Sequence, residues 1–355
     1  MGTYRESDLK RFCENVLKSV GMNQENSSVV ADSLVKANLE GVDSHGISRL
    51  PIYVKRFNDQ RMNVNPDIQM AEPTASVLLV DGDNGLGHVV SYHAILKGAD
   101  MAKQSGLTAI AIKNSNHFGT ASYFCQLACE QNLACIGFTN SPPGIAPWGG
   151  KNAFFGTNPI AFGFPTGNEQ PVIIDLSTSI AARGKIILAA KQGNPIPDGW
   201  AMDEDGLPTN DAEAALRGSV LPLGGAKGSA LALAVEIMTG VLSGAAFGPH
   251  VKNLYDEAET EQANVGHFFL LLDIEKFMHL STFFESLEHL LTEMKEVPKA
   301  PGTNEIRYPG ERRRRDRERR QLEGIVLSPS VEEELSKLGD FYNVRFPEPL
   351  SLEKI

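Results

Sequence analysis

Residues 137–165, GFTNSPPGIAPWGGKNAFFGTNPIAFGFP, form the stretch around which the rest of the chain is organised. Glycine and proline occur throughout it, as is typical of turns. Trp148, Phe154 and Phe155 lie between them, so the stretch is too apolar for a solvated loop. We therefore expect turns packed into a core, with a purely structural loop as the alternative. Four polar side chains would face a small-molecule cavity in these turns: Asn140, Ser141, Thr157 and Asn158.

The composition bounds the class of protein. A chain of 355 residues can bury a sizeable core in roughly two domains, or in one large domain with an appendage. Its 42% hydrophobic and 22% charged residues are typical of a globular protein. A net charge of -11 argues against nucleic-acid and anionic-membrane partners, which require cations. Residues 1–21 contain no apolar run behind a basic start, so we expect no secretory signal and a cytoplasmic location.

Two further features are interpreted as structural. The cysteines lack zinc-ligand spacing and are expected to be buried free thiols, with no metal site: Cys13, Cys125, Cys129 and Cys135. Residues 228–248 are nearly long enough to span a bilayer, but they contain Glu236 and many small residues. This favours a buried core helix.

Hydrophobic periodicity predicts mixed helices and strands. Two helices are expected within residues 7–40, and a third begins near Asp43, with Pro51 in its first turn or at a break. Strands are expected at residues 75–80, 107–112, 134–138, 172–176 and 265–273. Further helices are expected at residues 88–104, 121–131, 277–297, 311–322 and 328–338, and after the strand at 172–176. The arginine-rich helix at 311–322 is interleaved with acids, which indicates a salt-bridged surface helix.

Several residues are candidates for chemistry. His45 and Arg49 are four apart and would share one helix face, where they suit an anionic substrate, although such pairs are also common on surfaces. His117 lies at a strand-to-helix junction and could cap the helix, contact a cofactor or transfer a proton. Asp175 ends a strand, where an acid can bind hydroxyls or cap a helix.

Other motifs are rejected. The glycines at 82, 85 and 87 do not follow the G-x-G-x-x-G order, so residues 81–87 are interpreted as a turn before a helix rather than a Rossmann motif. Lys227 lies at a glycine-rich helix start but does not match a P-loop, so ATPase activity is not expected. Asp203 and Asp205 lack the EF-hand pattern.

Eight motifs occur together in one order: DSHGISRL, NSNHFGT, TNSPPGIAPWGG, GTNPIAFGFP, IIDLSTSIAARGKI, GWAMDEDG, LPLGGAKGSALALAVEIMTGVLSG and YPGERR. The series, spanning residues 9–320, resembles the malate/L-lactate dehydrogenase family. That family also includes sulfolactate, ureidoglycolate and diketogulonate dehydrogenases and the piperideine-2-carboxylate and pyrroline-2-carboxylate reductases. The resemblance implies an α/β (α+β) non-Rossmann nicotinamide-binding fold with a mixed or largely antiparallel central sheet, an N-terminal helical part and a homodimer.

The resemblance also implies site residues. Catalytic residues would be Ser44, His45 and His117. Substrate-binding residues would be Arg49, Thr157, Arg183 and Gly184. Cofactor-binding residues would be His117, Phe118, Gly119, Thr120, Ala121, Asp175, Leu176, Ser177, Lys227, Gly228, Pro309, Gly310 and Glu311. Ala226 departs from the commoner family form, in which an aromatic residue or histidine often precedes the Lys-Gly pair.

We expect an NAD- or NADP-dependent oxidoreductase that interconverts a 2-oxo acid and a 2-hydroxy acid by hydride transfer. Arg49 would bind the carboxylate and His45 or His117 would transfer the proton, in a pocket dried by Trp148 and nearby phenylalanines. The alternatives are a cyclic imino-acid reductase and a catalytically silent scaffold. Three parts are expected: residues 1–75, helical and carrying Ser44, His45 and Arg49; residues 76–300, binding cofactor and substrate; and residues 301–355, closing the cofactor site and packing on the N-terminal part.

Overall fold

A computed structural model describes residues 1–168, 170–254, 256 and 261–350. The β-strands are β1 (Thr3–Tyr4), β2 (Gln69–Thr74), β3 (Val77–Gly85), β4 (Leu107–Ser115), β5 (Leu133–Thr139), β6 (Ile160–Phe164), β7 (Val172–Leu176), β8 (Ala201–Met202), β9 (Pro208–Thr209), β10 (Ser219–Val220), β11 (Val265–Asp273) and β12 (Ile325–Val326). The α-helices are α1 (Glu6–Ser19), α2 (Gln24–Leu39), α3 (Leu50–Asn58), α4 (Gly87–Ser105), α5 (Ala121–Cys129), α6 (Arg183–Gln192), α7 (Ala212–Arg217), α8 (Ala226–Glu236), α9 (Leu280–Glu296), α10 (Glu311–Glu323) and α11 (Pro329–Tyr342).

A seven-stranded sheet in the order β2-β3-β4-β11-β5-β6-β7 forms the centre of the molecule. Only β3 and β4 pair in parallel within this sheet, and the other neighbours are antiparallel. The predicted mixed, largely antiparallel sheet is therefore confirmed. Helices α4 and α5 cover one face through side chains such as Ile95 and Phe124, which are fully buried against Phe269 of β11. None of the described helices is both long and apolar enough to cross a bilayer.

The N-terminal helices and the C-terminal helix α11 share a second core. Leu9 and Phe12 of α1 are buried there with Leu34 of α2 and Leu335 of α11. Strand β1 pairs with β12, so both ends of the described chain meet in this region. The core holds α2 and α3 beside the sheet, and the segment between these two helices carries His45.

The structure corrects several expected elements. Residues 43–49 form two 3-10 turns, Asp43–His45 and Ile47–Arg49, and the third α-helix begins only at Leu50, with Pro51 in its first turn. His45 and Arg49 therefore do not share the face of one continuous helix. Strand β3 extends to Gly85, well into the predicted turn at 81–87, because Asp83 and Asn84 adopt positive φ and shift the register without ending the strand.

Two apolar stretches also differ from the structure expected for them. Residues 160–164 form strand β6 rather than a turn, and Trp148 is 65% exposed. Residues 228–248 are not a buried core helix, because α8 ends at Glu236, a π-helical turn (Ile237–Leu242) follows, and several large side chains face outward. These exposed side chains are Leu231, Leu233, Ile237, Val241, Leu242 and Phe247.

Candidate active site

The segment between α2 and α3 carries the first group of candidate residues. Ser44 Oγ lies 3.0 Å from His45 Nδ1. The Arg49 Nε–H donates to the carbonyl oxygen of Ser44 at 2.6 Å. Because one guanidinium nitrogen is tied to the backbone that carries His45, the orientations of Arg49 and His45 are linked.

His117 follows β4 and meets His45 from the sheet side. The two imidazole rings stack with centroids 5.6 Å apart and planes inclined by 25°. Tyr53 Oη of α3 lies 2.7 Å from His117 Nδ1, and the Gly119 N–H donates to the same nitrogen at 3.3 Å. A backbone amide can only donate, so His117 Nδ1 is an acceptor. The neutral His117 ring therefore carries its proton on Nε2.

Burial determines the charge states of this group. Burial, together with the neighbouring charge of Arg49, lowers the pKa of His45 to about 4. Burial and the neighbouring His45 and Arg49 lower the pKa of His117 well below its usual value. Burial raises the pKa of Tyr53, which stays protonated. At neutral pH the pair consists of two uncharged imidazoles beside a cationic guanidinium.

A second layer of histidines lies behind this pair. His88 of α4 is fully buried, neither ring nitrogen has a hydrogen-bond partner, and its ring meets that of Tyr53 edge-on at 5.4 Å. Gly119 has φ +80°, and a Cβ there would lie 2.5 Å from His88 Nε2, so this turn requires glycine. His267 of β11 is bound by Thr139 and Ser115 hydroxyls at 2.7 and 3.0 Å.

Asp175 lies at the end of β7 in a polar cluster. Its Oδ2 accepts from Arg313 Nη1 at 3.0 Å and from the Ser122 N–H of α5 at 3.3 Å. The Asp175 charge acts on the pKa of His45, so the end of β7 lies near the histidine pair. The expected Asp175–Ser177 stretch thus borders the histidines, while Leu176 is partly exposed.

Thr157 and Arg183 both lie near Gly144, whose hypothetical Cβ would be 3.8 and 3.9 Å from Thr157 Cγ2 and Arg183 Nη1. The Thr157 carbonyl accepts from the Thr178 amide at 3.0 Å, which joins this pair to the segment after β7. Arg183 Nη1 also donates to the Pro143 carbonyl at 3.1 Å. Arg183 and Gly184, at the start of α6, are exposed.

Two further expected contact residues, Lys227 and Glu311, lie in the first turns of α8 and α10. Lys227 is exposed in the first turn of α8 and has no hydrogen bond or ion pair with any described residue. Gly310 packs on the backbone of Ile173, with a hypothetical Cβ 2.7 Å from the Ile173 carbonyl oxygen. Glu311 is buried and bound by Lys295 at 2.7 Å, but its Oε2 has no hydrogen-bond partner. The Pro309–Glu311 turn therefore adjoins β7 two residues before Asp175.

Other expected contacts lie inside the protein. The Phe118 ring is buried and stacks on His267 at 4.6 Å, so only its backbone could meet a ligand. The Asn140 and Asn158 side chains are buried in structural hydrogen bonds, contrary to the expectation that they face a cavity. Asn158 Nδ2 donates to Glu236 at 2.6 Å, and the Gly248 N–H donates to the same carboxylate at 2.6 Å. Burial raises the pKa of Glu236. Trp148 is exposed in the single chain, so it does not exclude water from a pocket there, contrary to expectation.

Sequence reasoning missed Tyr53, His88 and Arg313. Tyr53 follows Arg49 by four residues, and this spacing could have marked it. His88 lies within an apolar helix, where an uncharged ring gives no distinctive pattern. Arg313 belongs to a run of arginines, and the sequence does not distinguish the inward-facing members. Within the described part of the chain, no three His, Cys, Asp or Glu side chains are grouped as metal ligands.

Comparison with known proteins gives consistent matches over nearly the whole chain. The malate/L-lactate dehydrogenase family profile matches residues 4–336. The chain is 36% identical to the malate/(S)-sulfolactate dehydrogenase of Methanothermus fervidus, over 93% of this chain and 95% of that protein. It is 38% identical to the (2R)-3-sulfolactate dehydrogenase (NADP(+)) of Chromohalobacter salexigens, over 90% and 92%. It is 30% identical to the ureidoglycolate dehydrogenase (NAD(+)) of Escherichia coli, over 91% and 92%.

Solved structures agree with this result. The malate dehydrogenase of Entamoeba histolytica superposes with a TM-score of 0.92 at 30% identity, covering 98% of this chain and 99% of that one. The sulfolactate dehydrogenase of Methanocaldococcus jannaschii superposes with a TM-score of 0.91 at 36% identity, covering 98% of each chain.

The protein is therefore an enzyme of the NAD(P)-dependent dehydrogenase class that acts on 2-hydroxy acids. More specifically, the chain belongs to the malate/L-lactate dehydrogenase family. The family and the enzyme class expected from the motifs are confirmed.

Proposed function

We propose that the protein interconverts a 2-oxo acid and a 2-hydroxy acid that carries a second anionic group, with His45 as the residue that transfers the proton. The observation that supports this most directly is the stacked His45–His117 pair beside Arg49. Malate and sulfolactate, named for the relatives at 36–38% identity, have such a second group. Arg183, which like Thr157 lies near Gly144, would bind it, and Gly184 would contribute its backbone.

Arg49 would bind the 2-carboxylate. A guanidinium stays charged at any working pH, although burial lowers the pKa of Arg49. Its planar fork matches a carboxylate with two parallel hydrogen bonds. Because Nε is held by the Ser44 carbonyl, a substrate bound by Arg49 would lie in a fixed position relative to His45.

The two histidines are not equivalent in this proposal. A proton on His117 Nδ1 would point at the Gly119 N–H, so two donors would face each other. His45 Nδ1 faces the Ser44 hydroxyl, which can reverse from donor to acceptor. His45 can therefore take a second proton, whereas His117 would act as a neutral Nε2–H donor to the substrate or the nicotinamide.

The donor set fits a nicotinamide dinucleotide. Glu311 has a buried oxygen without a partner, which suits a hydroxyl or amino donor of the ligand. Lys227 and Gly228 lie in the first turn of α8, and Gly119, Thr120 and Ala121 lead into α5, which has no side-chain cap. Cations and helix N-terminal amides suit phosphates. When bound, the nicotinamide would give or take the hydride.

We also propose a homodimer. The outward-facing apolar side chains of α8 and its π-helical turn support this, because such a surface is unusual for a monomer. Trp148 lies beside Gly225, immediately before α8, so the proposed interface would adjoin Lys227. The site would then be bounded partly by the second subunit.

The test is the absorbance of reduced nicotinamide with oxaloacetate, 3-sulfopyruvate, pyruvate, 2,3-diketogulonate and piperideine-2-carboxylate, each with NADH and NADPH. We expect oxaloacetate or 3-sulfopyruvate to give a kcat/KM at least about tenfold above that for pyruvate, since a second charged contact contributes about 1.5 kcal/mol or more. Arg183→Gln should reduce this ratio. A preference for pyruvate or for the cyclic imine would refute the proposed substrate.

A further inference from the structure

Helix α10 presents two arginines to the interior, seven residues apart. Arg313 and Arg320 therefore lie two turns apart on one face of the helix. Their side chains are 19% and 16% exposed, whereas Arg312 and Arg319 point outward and form ion pairs along the helix. The helix thus has an outer face that stabilises it and an inner face that contacts the rest of the protein.

Arg320 binds the turn that carries His45. Its two terminal nitrogens donate to the Asp43 carboxylate at 2.7 and 3.1 Å, and Nη1 also donates to the Asn38 carbonyl. The Asn38 amide donates to Asp43 at 2.7 Å and accepts from the Ile47 N–H at 2.8 Å. The segment from Asp43 to Ile47 is therefore held at Asp43 by both α2 and α10 and at Ile47 by α2, with Ser44 and His45 between these attachments.

Arg313 binds the opposite side of the site. Its Nη1 donates to Ser122 Oγ at 2.7 Å and to Asp175 at 3.0 Å, and Glu40 lies 3.9 Å away. This guanidinium joins the end of β7 to the first turn of α5. These are two of the segments proposed above to hold the cofactor.

We propose that α10 fixes the substrate side and the cofactor side of the active site relative to each other. Arg320 is the positioning residue for the substrate side, and Arg313 is the positioning residue for the cofactor side. Arg320 acts through Asp43 on His45 and Arg49, and Arg313 acts through Asp175. Asp43 is 52% exposed, so its ion pair contributes little to global stability, and its main effect is on geometry. The names substrate side and cofactor side rest on the proposed function. The hydrogen bonds of Arg320 and Arg313 do not depend on it.

The kinetic test compares Arg320→Gln with Arg313→Gln. Arg320→Gln should raise the substrate KM and lower kcat, each by about tenfold, because small misplacements of reacting groups are costly. Its cofactor KM should stay within about twofold of the parent value. Arg313→Gln should instead raise the cofactor KM about tenfold and leave the substrate KM within about twofold of the parent value. Arg319→Gln, which removes the same charge from the exposed face, serves as the matched control.

Conservative variants separate positioning from folding. Arg313→Gln leaves Asp175 and Glu40 as neighbouring buried acids, so Arg313→Lys provides a second variant that keeps the charge. Arg320→Lys should recover part of the lost kcat, since it retains one contact to Asp43 but not the fork. Asp43→Asn should add little to Arg320→Gln, because both changes remove the same interaction.

Amide hydrogen exchange of the protein without ligand provides a readout independent of turnover. Arg320→Gln should accelerate exchange within residues 43–49, and Arg313→Gln within residues 175–179 and the first turn of α5. Arg319→Gln should change neither region. If the two inner-face variants change both regions alike, or neither, or alter both KM values equally, the proposal is wrong. Parent enzyme without turnover on any tested acid would refute the proposed function, and the exchange pattern would still decide this inference.

Discussion

In the proposed function, substrate binding depends most on Arg49. The Arg49→Lys variant keeps the charge but loses the planar fork and the contact to the Ser44 carbonyl. We expect the substrate KM to rise about 10–100-fold, as for the loss of a charged hydrogen bond, with a smaller change in kcat. The cofactor KM measured in the same assays is the internal control. An unchanged substrate KM would remove Arg49 from the substrate site.

The pH profile tests the assignment of His45. Arg49, Arg313, Asp175, His88 and His117 all act electrostatically on this ring or respond to it. Because the pKa of His45 is lowered to about 4, the neutral base persists down to that pH, whereas an ordinary histidine would be protonated below about 6.5. The kcat/KM for oxidation of the hydroxy acid should therefore stay flat to about pH 5 and fall below it. An acidic limb near pH 6.5 would contradict the assignment.

The same residues show what sequence could and could not predict of the site. Ser44, His45, Arg49 and His117 were predicted as site residues because they lie in short motifs, and their catalytic and binding roles stay predictions. Their geometry was not predictable, because two 3-10 turns replace the expected helix and bring His45 to His117 from another part of the fold. The roles of Thr157, Arg183 and the cofactor stretches stay predictions.

Among the elements, the junction of α8 with its π-helical turn depends on one buried carboxylate. Glu236 accepts from Asn158 and from the Gly248 amide, and so ties two loops to the helix. Glu236→Ala would leave both donors buried without partners, and we expect a loss of about 2–5 kcal/mol in the free energy of unfolding. Urea unfolding measures this loss. Glu288→Ala, on the exposed face of α9, should change it by less than about 0.5 kcal/mol. Equal stability of the two variants would refute the structural role of Glu236.

Elements with one dominant signal were predicted well. Strands β7 and β11 have the predicted bounds because each is a continuous apolar run, and α10 begins at the predicted residue because a Pro-Gly turn precedes it. Residues 228–248 were misjudged because apolar composition does not distinguish a side chain that faces a core from one that is exposed at the surface. The division into residues 1–75, 76–300 and 301–355 stays a proposal.

At the scale of the whole molecule, buried histidines should make stability depend on pH. His88 and His267 are fully buried, and burial lowers the pKa of each to about 3. Between pH 6.5 and 3 the unfolded chain binds protons that the folded chain does not, so the free energy of unfolding falls as pH falls. Each histidine contributes about 1.4 kcal/mol per pH unit to this slope.

His88→Leu should remove one such contribution. Neither His88 nitrogen forms a hydrogen bond of normal geometry with a described residue, and only the His117 backbone lies close enough to act on the ring as a hydrogen-bond acceptor, so an apolar side chain should be tolerated at pH 7.5. The slope between pH 6 and 4 should decrease by about 1.4 kcal/mol per unit. Chemical unfolding at several pH values measures it. The control variant is His289→Gln, at an exposed position, and the change in slope is measured relative to it. An unaltered slope in His88→Leu would show that this ring titrates normally.

The proposed homodimer is tested at the same scale. Val241→Asp places a charge among exposed apolar side chains of the π-helical turn without entering a core. We expect a monomer by light scattering and reduced turnover, because the apolar surface adjoins Lys227. The matched control is Leu290→Asp, on the exposed side of α9. A parent protein that is monomeric at micromolar concentration would refute the dimer.

Strand β11 lies between β4 and β5, although about 125 residues separate it from β5 along the chain. During synthesis, the β2-β3-β4 group and the β5-β6-β7 group would both leave the ribosome before the strand that joins them. Until Asp273 emerges, β4 and β5 each present an open edge, which is a template for pairing with other nascent chains. We therefore expect the newly made protein to need these two edges protected from other chains until β11 has inserted.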